Sequence, residues 1–270
     1  MNGDVAVVIG TGGMGRAIGR RIGGGRHLLL ADFDQEALAS VADTLRGEGH
    51  QVTARHVDVG DAESVRELAE AAAALGPVKA LAHTAGLSPV QAPPAAVLRV
   101  DLLGAALVLE AFAEVVAPGG AAVVIASMAG HLFPPLDPEF ERQLATVPAG
   151  ALLDLPLVAA VTESSAAYGI AKRANLLRVQ TAAGPWGARG ARVNAISPGV
   201  IATPMGQQEL DGESGGQMRA MIAMSGTGRI GTPDDIAAAA AFLLGPDATF
   251  ITGTDLLVDG GVVAAVKVRL

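Results

Sequence analysis

The chain has 270 residues, half of them apolar, with a formal net charge of −8 and no cysteine. That length suits a single α/β domain. The acidity argues against a nucleic-acid backbone as partner, and the lack of cysteine excludes disulfides and thiolate chemistry. Aromatic residues are only 3% of the chain, so its core must be built from Ala, Val, Leu and Ile.

The first residues, MNGDVAVVIG, enter a strand-like run with no basic stretch before it, unlike a secretory signal. No apolar run reaches the ~20 residues of a membrane span, so a cytoplasmic protein without a membrane partner is expected. A strand over Asp4–Ile9 leads through a glycine turn into a helix over Met14–Arg21. Strand His27–Ala31 is followed by helix Gln35–Arg46, with Asp34 as its N-cap. Strand Val52–Val57 and helix Ala62–Ala74, preceded by Asp61, repeat the pattern. Strand Ala80–Thr84, helix Ala95–Val116 and strand Ala121–Ala126 follow, then helix Ser164–Ala183, strand Ala191–Ile196, helix Pro233–Leu244 and strand Asp255–Val258.

Nearly continuous apolar strands alternating with helices indicate a parallel sheet buried on both faces. The expected fold is α/β: one Rossmann-type, doubly wound domain over residues 1–270, with about seven strands and its ligand crevice at their carboxyl ends. Two stretches break the rhythm: an apolar, proline-rich insertion at 131–163 and a Gly/Met-rich substrate loop at 205–228. Both follow strand ends and are expected to overhang the crevice. The insertion should be ordered, because structureless loops of that length are unusual in compact domains. Asp137-Pro138-Glu139 is a good helix start, and the run from Ala149 to Val161 is too apolar to stay in water.

Gly10-Thr11-Gly12-Gly13-Met14-Gly15 follows a strand and opens a helix, as a dinucleotide fingerprint requires. Glycines let the backbone approach a pyrophosphate, whose charge the helix N-terminus stabilises. Asp32 ends the second strand, where a carboxylate accepts hydrogen bonds from ribose hydroxyls and repels a 2′-phosphate. Phe33 follows it, and no base lies within Gly10–Gly15, so NAD is expected over NADP. The plainer reading of Asp32 is a helix cap, a role Asp34 fills better. Asp58, with Val59 beside it, ends the third strand and can bind an adenine amino group or be a solvated turn residue.

Tyr168 is the only tyrosine, and one of just three lysines, Lys172, lies four residues later. At i and i+4 the two share a helix face. A nearby ammonium favours phenolate, so Tyr168 is expected to titrate below a free phenol and to exchange a proton with an alcohol or ketone oxygen. Ser127, ending the fifth strand, can hydrogen-bond that oxygen. No metal site is expected.

The chain resembles the short-chain dehydrogenase/reductase family from end to end. The resemblance rests on Tyr168-Gly169-Ile170-Ala171-Lys172, on Arg192-Val193-Asn194-Ala195-Ile196-Ser197-Pro198-Gly199 with Thr203, on IASMAG around Ser127, and on the tail from Gly253 to Gly261. It implies a catalytic triad of Ser127, Tyr168 and Lys172. It also implies that Lys172 holds the nicotinamide ribose and that Pro198, Gly199, Val200 and Thr203 line the nicotinamide.

Three departures from the family pattern stand out. Two residues, not three, separate Gly10 from Gly13. His83-Thr84-Ala85-Gly86 replaces Asn-Asn-Ala-Gly, and Thr84, Ala85 and Gly86 are counted with the cofactor site. Asp101 replaces the family's catalytic asparagine, which helps hold a relay water. It can hold a water too, raising the Lys172 pKa, or pair with Arg99 or solvent.

The insertion resembles that of 3α-hydroxysteroid dehydrogenase/carbonyl reductases. Met205, Met218, Met221 and Met224 suit an adaptable apolar pocket, or equally a helix core. The expected activity is NAD(H)-dependent interconversion of a secondary alcohol and a ketone on a bulky, steroid- or terpenoid-like substrate. The alternatives are a non-catalytic NAD sensor on the same fold and an NADP-linked carbonyl reductase. The family resemblance suggests a homodimer or homotetramer, with Ala95–Val116 and Ser164–Ala183 as candidate contact faces.

Overall fold

The computed structural model describes residues 3–269. Seven parallel strands form one sheet in the order β3-β2-β1-β4-β5-β6-β7. They are β1 Val5–Ile9, β2 His27–Asp32, β3 Gln51–His56, β4 Val78–His83, β5 Val116–Ile125, β6 Arg192–Pro198 and β7 Asp255–Val258. The strand order reverses between β1 and β4, which pair in register from Ala6 with Ala80 to Ile9 with His83. The crevice of a doubly wound sheet opens at such a point.

Side chains alternate across the sheet, as strand geometry dictates. Val5, Val7 and Ile9 join the core beneath helices Ala62–Leu75, Ala105–Ala113 and Ser164–Ala188. Ala6 and Val8 join the opposite core, beneath helices Gly13–Ile22, Gln35–Gly47 and Pro233–Leu244. Asp34 caps Gln35–Gly47 as expected, accepting from the amides of Glu36 and Ala37. No helix among the described residues is long and apolar enough to cross a membrane.

Three elements differ from expectation. The helix expected over Ala95–Val116 is Pro94–Val97, a π turn over Leu98–Gly104, then Ala105–Ala113. It stops early because Val116 pairs with Val78 and so belongs to the sheet. Helix Ser164–Ala188 runs on through Pro185. Its last turn is anchored by Trp186, which is fully buried and donates its indole N–H to the Leu109 carbonyl at 3.2 Å. The stretch 205–228 holds two helices, Pro204–Asp211 and Gly215–Met224.

The insertion is ordered, and Asp137 caps helix Pro138–Thr146 with Pro138 in its first turn. It does not overhang the crevice. Phe140, Leu144, Ala149, Leu152 and Val158 instead form a third core with Val97, Leu102, Ala106, Ile170, Ala171 and Ala174. The helices expected to be contact faces between subunits are thus partly covered by the chain's own insertion. Arg178 locks this arrangement, donating to the carbonyls of Leu144 and Val147 and to Glu110.

Candidate active site

Two loops meet where β1 and β4 end. Gly10 turns the chain at φ 93°, and a Cβ there would lie 2.5 Å from the Ala85 amide nitrogen. At Gly15 a Cβ would lie 1.8 Å from the Gly10 carbonyl oxygen. Both positions therefore demand glycine. The Thr84 hydroxyl donates to that same carbonyl at 2.7 Å, tying the turn to β4. Gly10, Gly12, Gly13, Met14 and Gly15 line one long crevice with Thr84, Ala85 and Gly86.

The far end of that crevice is lined by Asp32, Phe33, Asp58 and Val59. Thr11 is not part of that lining: buried, it donates to Asp32 through its amide at 2.5 Å and its hydroxyl at 2.8 Å. Asp32 thus braces the glycine loop and still faces the crevice. Asp58 pairs with Arg99 at 2.7 Å, and Arg99 lines the crevice as well. The fold therefore brings in a base that inspection of residues 10–15 and 33 alone missed, and its charge is met by Asp58. A bare glycine cradle at a helix N-terminus, with a carboxylate at the end of β2, fits a dinucleotide.

Beyond Met14, Thr203 and Met205, which line both spaces, the crevice opens into a second pocket. Ser127, Tyr168, Pro198, Gly199 and Val200 line it, so sequence-distant residues from the ends of β5 and β6 and from helix Ser164–Ala188 converge. Helix Ser164–Ala188 is held close by two glycines. Phe133 lies on Gly169, where a Cβ would be 2.0 Å from the ring, and Gly130 abuts the Lys172 backbone. The Ser127 hydroxyl accepts from the Ala129 amide at 3.1 Å and pulls the Tyr168 pKa down.

Lys172 and Asp101 sit behind this pocket, out of its lining. The Lys172 ammonium lies 5.4 Å from the Tyr168 ring centre, 3.0 Å from Asp101 Oδ2 and 3.2 Å from the Ile125 carbonyl. The π turn carries Asp101 inward, where Oδ1 accepts from the Leu87 amide at 2.7 Å. Asp101 is 1% exposed, so it is neither solvated nor paired with Arg99. Burial opposes the ammonium of Lys172, yet Asp101 and Tyr168 carry its pKa upward. Burial also pushes the Asp101 carboxyl up, against the pull of Lys172.

The expectation that Tyr168 titrates below a free phenol is overturned for the protein without cofactor. Burial pushes its phenol up; Lys172 pulls the other way, but Asp101 and Glu209 add to the rise. The cation read from i+4 spacing is already matched by a carboxylate from another element. His83 is buried with Nδ1 unpartnered, and burial together with Lys172 holds its pKa down to about 3, so it is neutral.

Glu209 also lines the pocket, and reading the sequence missed it. Nothing in its local pattern marks it. Of the four methionines singled out, Met205 and Met218 line the pocket and Met221 and Met224 do not.

Comparison with known proteins agrees with this geometry. A short chain dehydrogenase family model matches residues 4–136, and an enoyl-(acyl carrier protein) reductase model matches residues 141–263. The chain is 38% identical over 266 residues to the short-chain dehydrogenase/reductase bsc3 of Alternaria brassicicola, covering 98% of this chain and 97% of that one. This protein is a short-chain dehydrogenase/reductase.

Other members of the family are also similar. D-threitol dehydrogenase of Mycolicibacterium smegmatis is 33% identical, with 97% of this chain and 93% of the relative covered. The 3-alpha-hydroxysteroid dehydrogenase/carbonyl reductase of Comamonas testosteroni is 29% identical, with 85% and 93% covered. The fold of gox2181 superposes with a TM-score of 0.78 at 24% identity, covering 98% and 97% of the two chains. The short-chain dehydrogenase/reductase is thus an oxidoreductase of alcohols and carbonyls with a nicotinamide-binding fold.

Proposed function

We infer that this short-chain dehydrogenase/reductase interconverts a secondary alcohol and a ketone with NAD(H), using Tyr168 as acid and base. The observation that carries this is the shared wall of Met14, Thr203 and Met205. It joins the glycine-lined crevice to a pocket lined by Tyr168 and Ser127. When bound, the nicotinamide supplies the hydride acceptor or donor. Tyr168 then gives its phenolic proton to the substrate oxygen during reduction, or takes the alcohol proton during oxidation. Ser127 hydrogen-bonds the same oxygen as charge develops on it. Lys172, 5.4 Å from the centre of the Tyr168 ring, stabilises the phenolate, and Asp101, acting through Lys172, is a positioning residue.

NAD is favoured because Asp32 faces the crevice and would repel a 2′-phosphate. Arg99, the base the fold supplies there, favours the NADP-linked alternative, but Asp58 already holds its charge. Titrating both cofactors against wild type and Asp32→Ala tests this. Wild type should prefer NAD and the variant should lose the preference; equal affinity of wild type for both overturns it.

The substrate frame is bulky and largely apolar in this reading, steroid- or terpenoid-like. The apolar insertion no longer supports that, since its side chains fill a core of their own. Val90, Met128, Ile201, Met205 and Met218 in the pocket lining do. One relative's name includes a steroid and another's a small polyol, so a panel spanning both, with NAD reduction as the readout, is the decisive assay. The non-catalytic sensor gains from the engagement of Lys172 by Asp101, and it becomes the better reading if no member of the panel is oxidised. The reading places the enzyme in the cytoplasm as a homodimer or homotetramer, an oligomeric state measurable by light scattering.

A further inference from the structure

Glu209 is the only formally charged side chain among the described residues lining the pocket of Tyr168. It sits on helix Pro204–Asp211, whose placement is set at both ends of its first two turns. Thr203 caps the helix, its hydroxyl accepting from the Gly206 amide at 3.0 Å. Gly206 packs so tightly on the end of the preceding segment that a Cβ would lie 2.1 Å from the Ile201 carbonyl. Next to Glu209, Gln208 accepts from Gln91 at 3.0 Å, and Gln91 in turn accepts from the Ser88 amide at 3.0 Å. The helix is thus pinned to the loop after β4.

Among the described residues no ion pair engages the Glu209 carboxyl, and the fully buried Ser88 hydroxyl, itself without a hydrogen-bond partner, only pulls its pKa down. Burial pushes its pKa up, and its charge is felt by the Tyr168 phenol. A partly desolvated carboxyl with spare lone pairs is costly unless something donates to it. No hydrogen bond to this carboxyl forms among the described residues, and Glu209 lines the pocket in which the proposed substrate would sit.

We propose that Glu209 is the specificity residue of this pocket, accepting a hydrogen bond from a second hydroxyl on an otherwise apolar substrate. The substrate class is then a hydroxylated, ring-sized secondary alcohol or its ketone. Substrates with a carboxylate at that point are rejected by like charge. An ammonium group is less suited than a hydroxyl, because burying it beside Glu209 costs the desolvation of a second charge. This rests on the oxidoreductase reading of the site and adds the chemistry of the substrate's far end.

The test compares cyclohexanol, cyclohexane-1,4-diol, 4-aminocyclohexanol and 4-hydroxycyclohexanecarboxylate as alcohols for NAD reduction. Wild type, Glu209→Gln and Glu209→Leu are assayed side by side. Wild type should prefer the diol to cyclohexanol by about tenfold or more in kcat/KM, mainly through KM, since a site built for a hydroxyl discriminates against its absence. The carboxylate should be the poorest substrate. Glu209→Leu should bring diol and cyclohexanol together, and Glu209→Gln should keep part of the diol preference while admitting the carboxylate.

Equal use of diol and cyclohexanol by wild type, a diol preference that survives in Glu209→Leu, or a preference for the amine over the diol overturns the proposal. Turnover of any of the four that depends on Tyr168 leaves the oxidoreductase reading intact in each of those cases. If none is turned over, calorimetric binding to the NADH complex decides. Diol binding that Glu209→Leu loses supports the proposal, and equal or absent binding of diol and cyclohexanol overturns it.

Discussion

Tyr168 sits in a balance of charges that its own helix does not reveal. Lys172 favours phenolate, while burial, Asp101 and Glu209 favour phenol, and the net direction is upward. A phenol is protonated below its pKa, so at neutral pH Tyr168 is ready to donate in ketone reduction. It becomes a base for alcohol oxidation only as pH rises. Replacing Asp101 by Asn leaves the Lys172 charge unmatched and should move the onset of oxidation to lower pH; a kcat/KM profile against pH checks this, and an unmoved profile refutes the coupling. Tyr168→Phe should keep cofactor binding and lower turnover by about two or more orders of magnitude. Turnover near wild type would remove Tyr168 from the chemistry.

At the scale of elements, the insertion acts as a brace for the catalytic helix rather than a cover for the crevice. Arg178, nearly buried, reaches from that helix to the Leu144 and Val147 carbonyls at the end of helix Pro138–Thr146. Burial and these bonds belong together: with the guanidinium removed, both carbonyls are left without that donor. Arg178→Leu should destabilise the protein by about 1–3 kcal/mol. Thermal unfolding measures the loss, and limited proteolysis should place new cleavages within 133–163. A variant as stable and as resistant as wild type would show that apolar packing by Phe140, Leu144 and Leu152 suffices.

At the scale of the molecule, the crevice lies where the two halves of the sheet part, so a ligand there touches elements from both. Gly13 and Thr203 face each other so closely that a Cβ added at Gly13 would lie 2.9 Å from the threonine methyl. NAD at about 100 times its Kd should stabilise the fold by about 2.7 kcal/mol, seen as a raised Tm, and NADP should do less at equal concentration. Under the crevice, His83 is held neutral while a histidine in the unfolded chain titrates near 6.5. The unfolded state therefore binds the extra proton first, and stability should fall as pH drops below about 6.5. His83→Asn should flatten that part of the curve in denaturant titrations across pH; an unchanged slope would assign the acid sensitivity to other groups.

The periodicity of apolar runs placed the central strands, which are buried on both faces, while the exposed edge strand β3 was placed by its position between two helices. Local motifs carried equally far: Gly10 to Gly15 form a cradle, Asp34 and Asp137 are caps, and Tyr168 with Lys172 share a helix face. Each depends on neighbours in the chain, which a sequence displays directly. The charge balance at Tyr168, the burial of Asp101 by a π turn, the Arg99–Asp58 pair in the crevice, and the entry of Glu209 into the pocket were decided only by tertiary structure. So was the fate of the insertion, whose apolar residues were legible but whose partners were not. Those outcomes turn on which distant groups approach within a few ångströms, and electrostatic and packing energies depend on that distance and not on separation along the chain.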